Sequence, residues 1–262
     1  MKTPARSLFL ALPLCALGCA HLDLSRIPTP TGAALLKDVD ELEGLVSQVK
    51  GSGRVQAHSS RGNGEVAAFI AARAPGEVHL ELLDFFGSPA QVLISDGRSF
   101  GLYQRDQGTY LHGPATAAAI SRILPLDLSA EDLVSILLGR TPRLRVVPGP
   151  VEVDAEADAY RLTLVQGERR QTLWIHPTSK RVLKSVLQGP GGYSLLFEQP
   201  VSTDGVPFAR KVTFSDANAT VVLRWSQEDV ALDATLDAAL FRLQPPAGAR
   251  TVEVDAGAPG AG

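Results

Sequence analysis

From Gly53 onward the chain is written in short alternating runs, and this period constrains its fold more than any other feature. RVQAHSS, GEVAAFIAARA, EVHLELL, AQVLISD, SFGLYQR and GTYLHG all have strand character. RGNG, PG, FGSP, DGR and DQG separate them, and glycine, proline and Asx residues of this kind make turns. In EVHLELL, Val78, Leu80 and Leu82 fall on one side and Glu77, His79 and Glu81 on the other, the signature of a half-buried strand. The pattern predicts an antiparallel meander. A second series follows after residue 159. Tyr160, Leu162 and Leu164 alternate with Arg161 and Thr163, and Leu173 and Ile175 flank Trp174. Tyr193, Leu195 and Phe197 share one side, as do Phe208, Val212 and Phe214, and then Val221, Leu223 and Trp225. Turns are expected at QGE, HPTSK, GPGG, STDG and SDAN.

Helical spacing occurs in two places. Leu35, Leu36, Val39, Leu42, Leu45, Val46 and Val49 recur at intervals of three and four, with Thr31 placed to cap the start and Gly51 the end. Two shorter pieces interrupt the strands between residues 114 and 139. Ile120, Ile123 and Leu124 form one apolar face; Leu133, Ile136 and Leu137 form another. Ser129 with Asp132 is a capping signal, Gly139 a stop, and Pro125 divides the pair. The expected fold class is mainly β (α+β), a single curved antiparallel sheet with helices on its concave side, enclosing an apolar space. The last ordered piece is expected at residues 240–246, with residues 256–262 a flexible tail.

One hairpin tip is unusual. Leu83, Phe85 and Phe86 precede Gly87-Ser88-Pro89, whereas tips are normally polar because they face water. Such a tip either packs on its own domain or projects into an apolar medium.

The N-terminus reads as a targeting segment. Lys2 and Arg6 precede an apolar stretch from Leu8 to Leu17 that is too short to span a bilayer. It ends in Ala16-Leu17-Gly18-Cys19, which resembles a bacterial lipobox, the alternative being ordinary cleavage with an incidental cysteine. The resemblance implies a signal peptide over residues 1–18, a lipid anchor on Cys19 and a tether over residues 19–31. Acyl chains contribute about 0.8 kcal/mol per buried methylene, so more than one makes a stable anchor. Residue 20 is Ala, not the Asp that the best-known sorting rule associates with inner-membrane retention, and this favours the outer membrane.

Composition excludes several other functions. Both cysteines, Cys15 and Cys19, lie in that segment, so the remainder has no disulfide, cysteine metal site or cysteine nucleophile. A formal net charge of -3 argues against nucleic acid. His21, His58, His79, His112 and His176 lack metal-site spacing. Gly97-Arg98-Ser99-Phe100-Gly101 matches the G-x-S-x-G nucleophile pattern, but Leu102 to Arg105 continue as a strand where that pattern needs a helix. Asp154, Glu156 and Asp158 lack the glycine and closing glutamate of a calcium loop and read as a solvated turn. GPGG at 189–192 lacks the lysine and helix of a phosphate loop.

Three stretches resemble the LolA/LolB superfamily of periplasmic lipoprotein carriers and receptors, on the LolB side. They are Asp84-Phe85-Phe86-Gly87-Ser88 with Gln91-Val92-Leu93-Ile94; ISRILPLDLSAEDLVSILLGRTP at 120–142; and FRLQPPAG at 241–248. In LolB a similar loop projects an apolar residue, normally Leu, whose position Phe86 occupies; Phe85 stands where LolB has Pro. The resemblance implies an unclosed β-barrel of about eleven strands over residues 32–255, lidded by helices. It further implies no enzymatic activity, no cofactor and no metal. Leu83, Phe85 and Phe86 would touch the membrane. Ile120, Ile123, Leu124, Leu133 and Leu137 would face a groove for lipoprotein acyl chains. Implied partners are those chains, a LolA-like periplasmic carrier and the outer membrane through Cys19, with no nucleic acid and a monomeric state. A protein-binding scaffold or sensor of the same fold, with a filled interior, is the alternative.

Overall fold

The computed structural model describes residues 28–59, 62–124, 127–203, 205–217 and 221–255. The expectations of a signal peptide, a lipid anchor on Cys19 and a flexible tail fall outside them. Within them the sheet has fourteen strands. In chain order these are β1 (Gln48–Ser59), β2 (Gly62–Arg73), β3 (Glu77–Leu83), β4 (Pro89–Asp96), β5 (Ser99–Gln104), β6 (Thr109–Pro114), β7 (Val151–Asp154), β8 (Ala159–Gln166), β9 (Arg169–Ile175), β10 (Val182–Gln188), β11 (Tyr193–Thr203), β12 (Val206–Asp216), β13 (Val221–Leu232) and β14 (Arg250–Glu253). The spatial order is β14-β6-β5-β4-β3-β2-β1-β13-β12-β11-β10-β9-β8-β7. Two antiparallel meanders are therefore joined at one seam, where β1 pairs with β13, and β14 alone among these strands runs parallel to its neighbour, β6. The sheet is mainly antiparallel, curved and unclosed, as the alternation and the resemblance predict.

Three helices lie against this sheet: α1 (Gly32–Glu43), α2 (Ala117–Ile120) and α3 (Ala130–Leu137). Thr31 caps α1, its side chain accepting from Ala34 N at 3.2 Å. Leu35 and Val39, one turn apart, are fully buried with Tyr160, Leu162, Leu164, Leu173 and Ile175 of β8 and β9. The alternation in those strands is thus the alternation of one buried face.

The helix is shorter than its apolar stripe predicts. It ends at Glu43 with Gly44 as C-cap, and Val46 and Val49 are buried in the next cluster while Leu45 is exposed. Spacings of three and four continue past residue 43, but Asp233 captures the backbone there. Its Oδ1 accepts from Ser47 N at 2.8 Å and Gln48 N at 3.2 Å, and β1 begins. Gly51 does not stop a helix; it lies in β1, where a Cβ would overlap the Asp229 carbonyl oxygen of β13.

Three strands extend beyond the sequence reading: β7, β10 and β14. The last corrects the expected end of order near residue 246. After β13 the chain returns over the other face of β2 and β3 from α3, where the 3-10 turn Ala238–Phe241 buries Phe241 with Ala71 and Leu236. The Arg73 guanidinium sits 4.8 Å from the Phe241 ring centre, and His79 Nδ1 lies 2.8 Å from Leu240 O. This strap occupies the side of β3 that alternation assigns to water.

Asp233 makes a testable contribution at low pH. Burial pushes its carboxyl up, but hydrogen bonds from Ser47 N, Ser47 Oγ and Gln48 N outweigh this and hold it below the usual aspartate range. A depressed folded-state pKa gives stability that is present above the unfolded pKa and lost as pH falls through the folded value. Asp233→Asn is expected to cost about 0.5–1 kcal/mol at neutral pH, allowing for exposure. It should also flatten the loss of thermal stability below pH ~4. Parallel acid limbs for both proteins, followed by circular dichroism, would remove Asp233 from this role.

Candidate functional site

An apolar cavity of about 110 Å³ lies between α3 and the centre of the sheet. The sheet contributes Val55, Ile70, Leu80, Val212, Phe214, Leu223, Arg224 and Trp225, drawn from β1, β2, β3, β12 and β13. Facing them are Leu133, Ile136 and Leu137 of α3, with Leu128 just before it. The cavity thus sits against the seam where the two meanders meet.

Helix α3 is built as a discrete lid. Ser129 and Asp132 form a reciprocal capping box: Ser129 Oγ accepts from Asp132 N at 3.1 Å, and the Asp132 carboxylate accepts from Ser129 N at 3.0 Å. Gly139, at φ +75°, ends the helix. Its polar ties to the rest of the protein are made around its ends. Ala130 N donates to Ala115 O at 3.2 Å, Glu131 pairs with Arg145 at 3.6 Å, and Arg140 beyond the C-terminus donates to Val46 O. Its middle rests on apolar contacts.

Behind α3 two larger crevices, of about 600 and 800 Å³, the second mainly polar, share Asp132, Pro142, Arg143, Leu144 and Arg145. Their charges are largely used internally. Arg143 pairs with Glu43 at 2.7 Å and also with Asp40. Burial pushes the Glu43 carboxyl up despite Arg143. Gln171, itself buried, donates to Pro142 O at 2.7 Å and accepts from Leu144 N at 2.9 Å, fixing the crevice wall.

The second candidate feature is the tip of the β3–β4 hairpin. Phe85 is 96% and Phe86 87% exposed, so packing on the protein's own domain is not what this tip does. The two rings meet edge to face at 5.6 Å and 84°. Asp84 orders the turn beneath them. Its Oδ1 accepts from Phe86 N and Ser88 N, both at 2.9 Å, and its Oδ2 pairs with Arg105. These bonds, that to Arg105 foremost, hold its carboxyl below the usual range. Gly87, at φ +76°, supplies the left-handed residue that closes the turn.

No family model matches the chain, and no curated protein resembles it in sequence. Solved structures do share its architecture. A domain assigned to outer membrane lipoprotein sorting, from Vibrio parahaemolyticus, superposes with a TM-score of 0.60 at 10% identity, over 79% of this chain and 94% of that one. A LolA superfamily protein from Nitrosomonas europaea gives 0.56 at 13% identity, over 82% and 98%. The fold is LolA/LolB-like. A DUF1329 family protein from Desulfovibrio piger shares it to the same degree, with a TM-score of 0.56 at 12% identity over 82% and 98%.

Within the LolA/LolB-like frame, the predicted groove residues divide. Leu133 and Leu137 line the cavity. Ile120, Ile123 and Leu124 do not: they pack with Leu93, Phe100 and Leu102 towards the β4–β6 edge. The reason is length. α2 is a single turn, and its Ile120 is committed to the strands beneath it before the chain reaches α3. Leu83 likewise belongs to β3, half-buried opposite Pro89, and only the phenylalanines stand clear. The fourteen strands exceed the eleven implied by the resemblance.

The cavity also takes in Leu128 and Ile136 on the lid side and Trp225 on the sheet, none of which the resemblance assigns to a groove. Alternation places Trp225 on a buried face, but only tertiary structure sets that face opposite α3. Ser99 opens β5, its N–H donating to Asp96 Oδ1 at 2.8 Å, and no helix follows it, so the nucleophile elbow is not formed. Asp154 closes its own turn by accepting from Ala157 N at 3.1 Å and from Trp174 Nε1 at 2.9 Å. Among the described residues no helix is long and apolar enough to cross a membrane.

Proposed function

We propose that this LolA/LolB-like protein is a lipid-anchored, non-enzymatic protein of the outer membrane, facing the periplasm, that receives the acyl chains of lipoproteins and helps insert them into that membrane. The apolar cavity beneath α3 carries the reading. An apolar wall binds chains through area removed from water, at about 25 cal/mol per Å², and needs no specific chemistry. At about 110 Å³ the cavity is below the ~300–1,000 Å³ of small-molecule sites, so α3 must lift to admit a chain. Its polar ties at the ends and apolar middle suit a lid that opens into an apolar ligand. Cys19 would hold the protein at the membrane, and Phe85 and Phe86 would enter the bilayer surface. A LolA-like carrier would deliver the client, and transfer would require comparable affinities in the groove and at the destination.

The test is native mass spectrometry of the full chain carrying Cys19→Ala with a synthetic triacylated lipopeptide. A one-to-one complex is expected. Leu133→Trp, which fills the cavity from the lid, should weaken it at least tenfold, about 1.4 kcal/mol, without unfolding the protein. The small volume of the cavity also favours a second reading, a scaffold of the same fold that binds a protein partner. Absence of any complex with the folded protein would select that reading and overturn the first.

A further inference from the structure

We infer that Trp225 determines which lipids the cavity accepts, its indole N–H donating to the carbonyl that joins an acyl chain to its head group. This rests on the lipid-binding reading above and narrows it, from apolar chains in general to acyl groups bearing an ester or amide carbonyl.

Trp225 stands on β13, paired with Val55 of β1 on one side and Val212 of β12 on the other, and all three line the cavity. It is 9% exposed and packs among Ile70, Leu137 and Phe208. In this apolar wall its Nε1 is buried, and among the described residues nothing accepts its hydrogen. A buried donor without an acceptor costs stability. Phenylalanine would provide the same apolar face without that cost. The chain's other tryptophan shows the usual arrangement: Trp174 Nε1 donates to Asp154 Oδ2 at 2.9 Å.

The backbone also makes room for this indole. At Gly53 the β1–β13 register shifts, and a Cβ there would lie 2.9 Å from Trp225 Cη2. A large aromatic ring is therefore accommodated at the seam, its polar atom unused by the protein and covered in this structure, beside a space otherwise suited to hydrocarbon. The ligand that complements this wall is mostly apolar with one strong acceptor. Acyl carbonyls have that chemistry and plain alkanes do not.

The test titrates the full chain carrying Cys19→Ala with dodecane, methyl laurate and N-methyl lauramide. Trp225→Phe is expected to weaken methyl laurate, N-methyl lauramide or both about tenfold, and to leave dodecane within twofold. Loss for the ester alone, or the amide alone, identifies which linkage is read. Equal weakening of all three, or of none, overturns the inference while leaving the lipid-binding reading in place. If none of the three binds the wild-type chain, the reading itself fails and this inference with it. Should Trp225→Phe not fold, Trp174→Phe leaves Trp225 as the sole indole. Its emission is then expected to shift to the red with methyl laurate or N-methyl lauramide and not with dodecane. An identical response to all three probes overturns the assignment.

Discussion

Replacing Phe85 and Phe86 together by glutamate is expected to abolish binding of the unanchored protein to lipid vesicles while leaving its thermal stability unchanged. The two rings are almost fully exposed and touch chiefly each other, so the folded protein gains little from them. In a bilayer surface each would contribute about 1.5–3 kcal/mol. Their joint loss therefore amounts to a factor of about 10² to 10⁴ in partitioning, at 1.4 kcal/mol per decade. Glutamate adds a charge that resists entering hydrocarbon. Flotation of the Cys19→Ala protein with phosphatidylethanolamine–phosphatidylglycerol vesicles measures the effect. Phe86→Glu alone should already stop lipoprotein delivery. Undiminished flotation of the double variant would remove the tip from any membrane role. The turn beneath the rings is expected to persist in the variant, because Asp84 makes its bonds to backbone amides and Arg105.

Gly53→Ala is expected to be the most damaging single-methyl substitution at the seam. The added Cβ would overlap the Ser226 carbonyl oxygen and meet Trp225, and neither is the free end of a flexible side chain. Overpacking of this kind costs about 1–3 kcal/mol, and a clash with backbone falls at or beyond the upper end. Gly64→Ala, in the neighbouring strand β2, is the matched control. A Cβ there meets nothing within 4 Å. That variant should be neutral, or stabilising by about 0.4–1 kcal/mol through a less flexible unfolded chain. Urea unfolding of both proteins gives the comparison. Equal stabilities would mean that β1 and β13 can separate at this point without loss.

The fold was largely legible because its strands obey a single rule. Tyr160, Leu162, Leu164, Leu173, Ile175 and Leu195 all alternate in the sequence and are all fully buried. Local chemistry was equally readable: the Thr31 cap, the Ser129–Asp132 box and Gly139 each depend on residues within a few positions. Reading failed where distant residues decide. The end of α1 is set by Asp233, far along the chain. β10 carries a buried Ser185, held by Gln171, where alternation asks for an apolar residue. β14 is four residues long and exists because β6 offers it an edge. The candidate site divides in the same way. The exposed phenylalanines and the apolar face of α3 were visible locally. That Trp225 lies opposite α3, and that Ile120 does not reach the cavity, follows only from how the strands are ordered.

That order also dictates a timetable. Each meander can zip up from neighbouring hairpins as soon as its residues are available, but β1 waits for a partner that is made last. Arg54 and Glu228, which bond across the β1–β13 pair, are separated by 174 residues. Closing so long a span is slow, because chain entropy must be lost before the contact returns anything. Until it closes, two long strands present open edges, the surfaces on which one chain pairs wrongly with another. The strand edges that become the centre of the folded sheet are therefore the last to be covered as the chain is made.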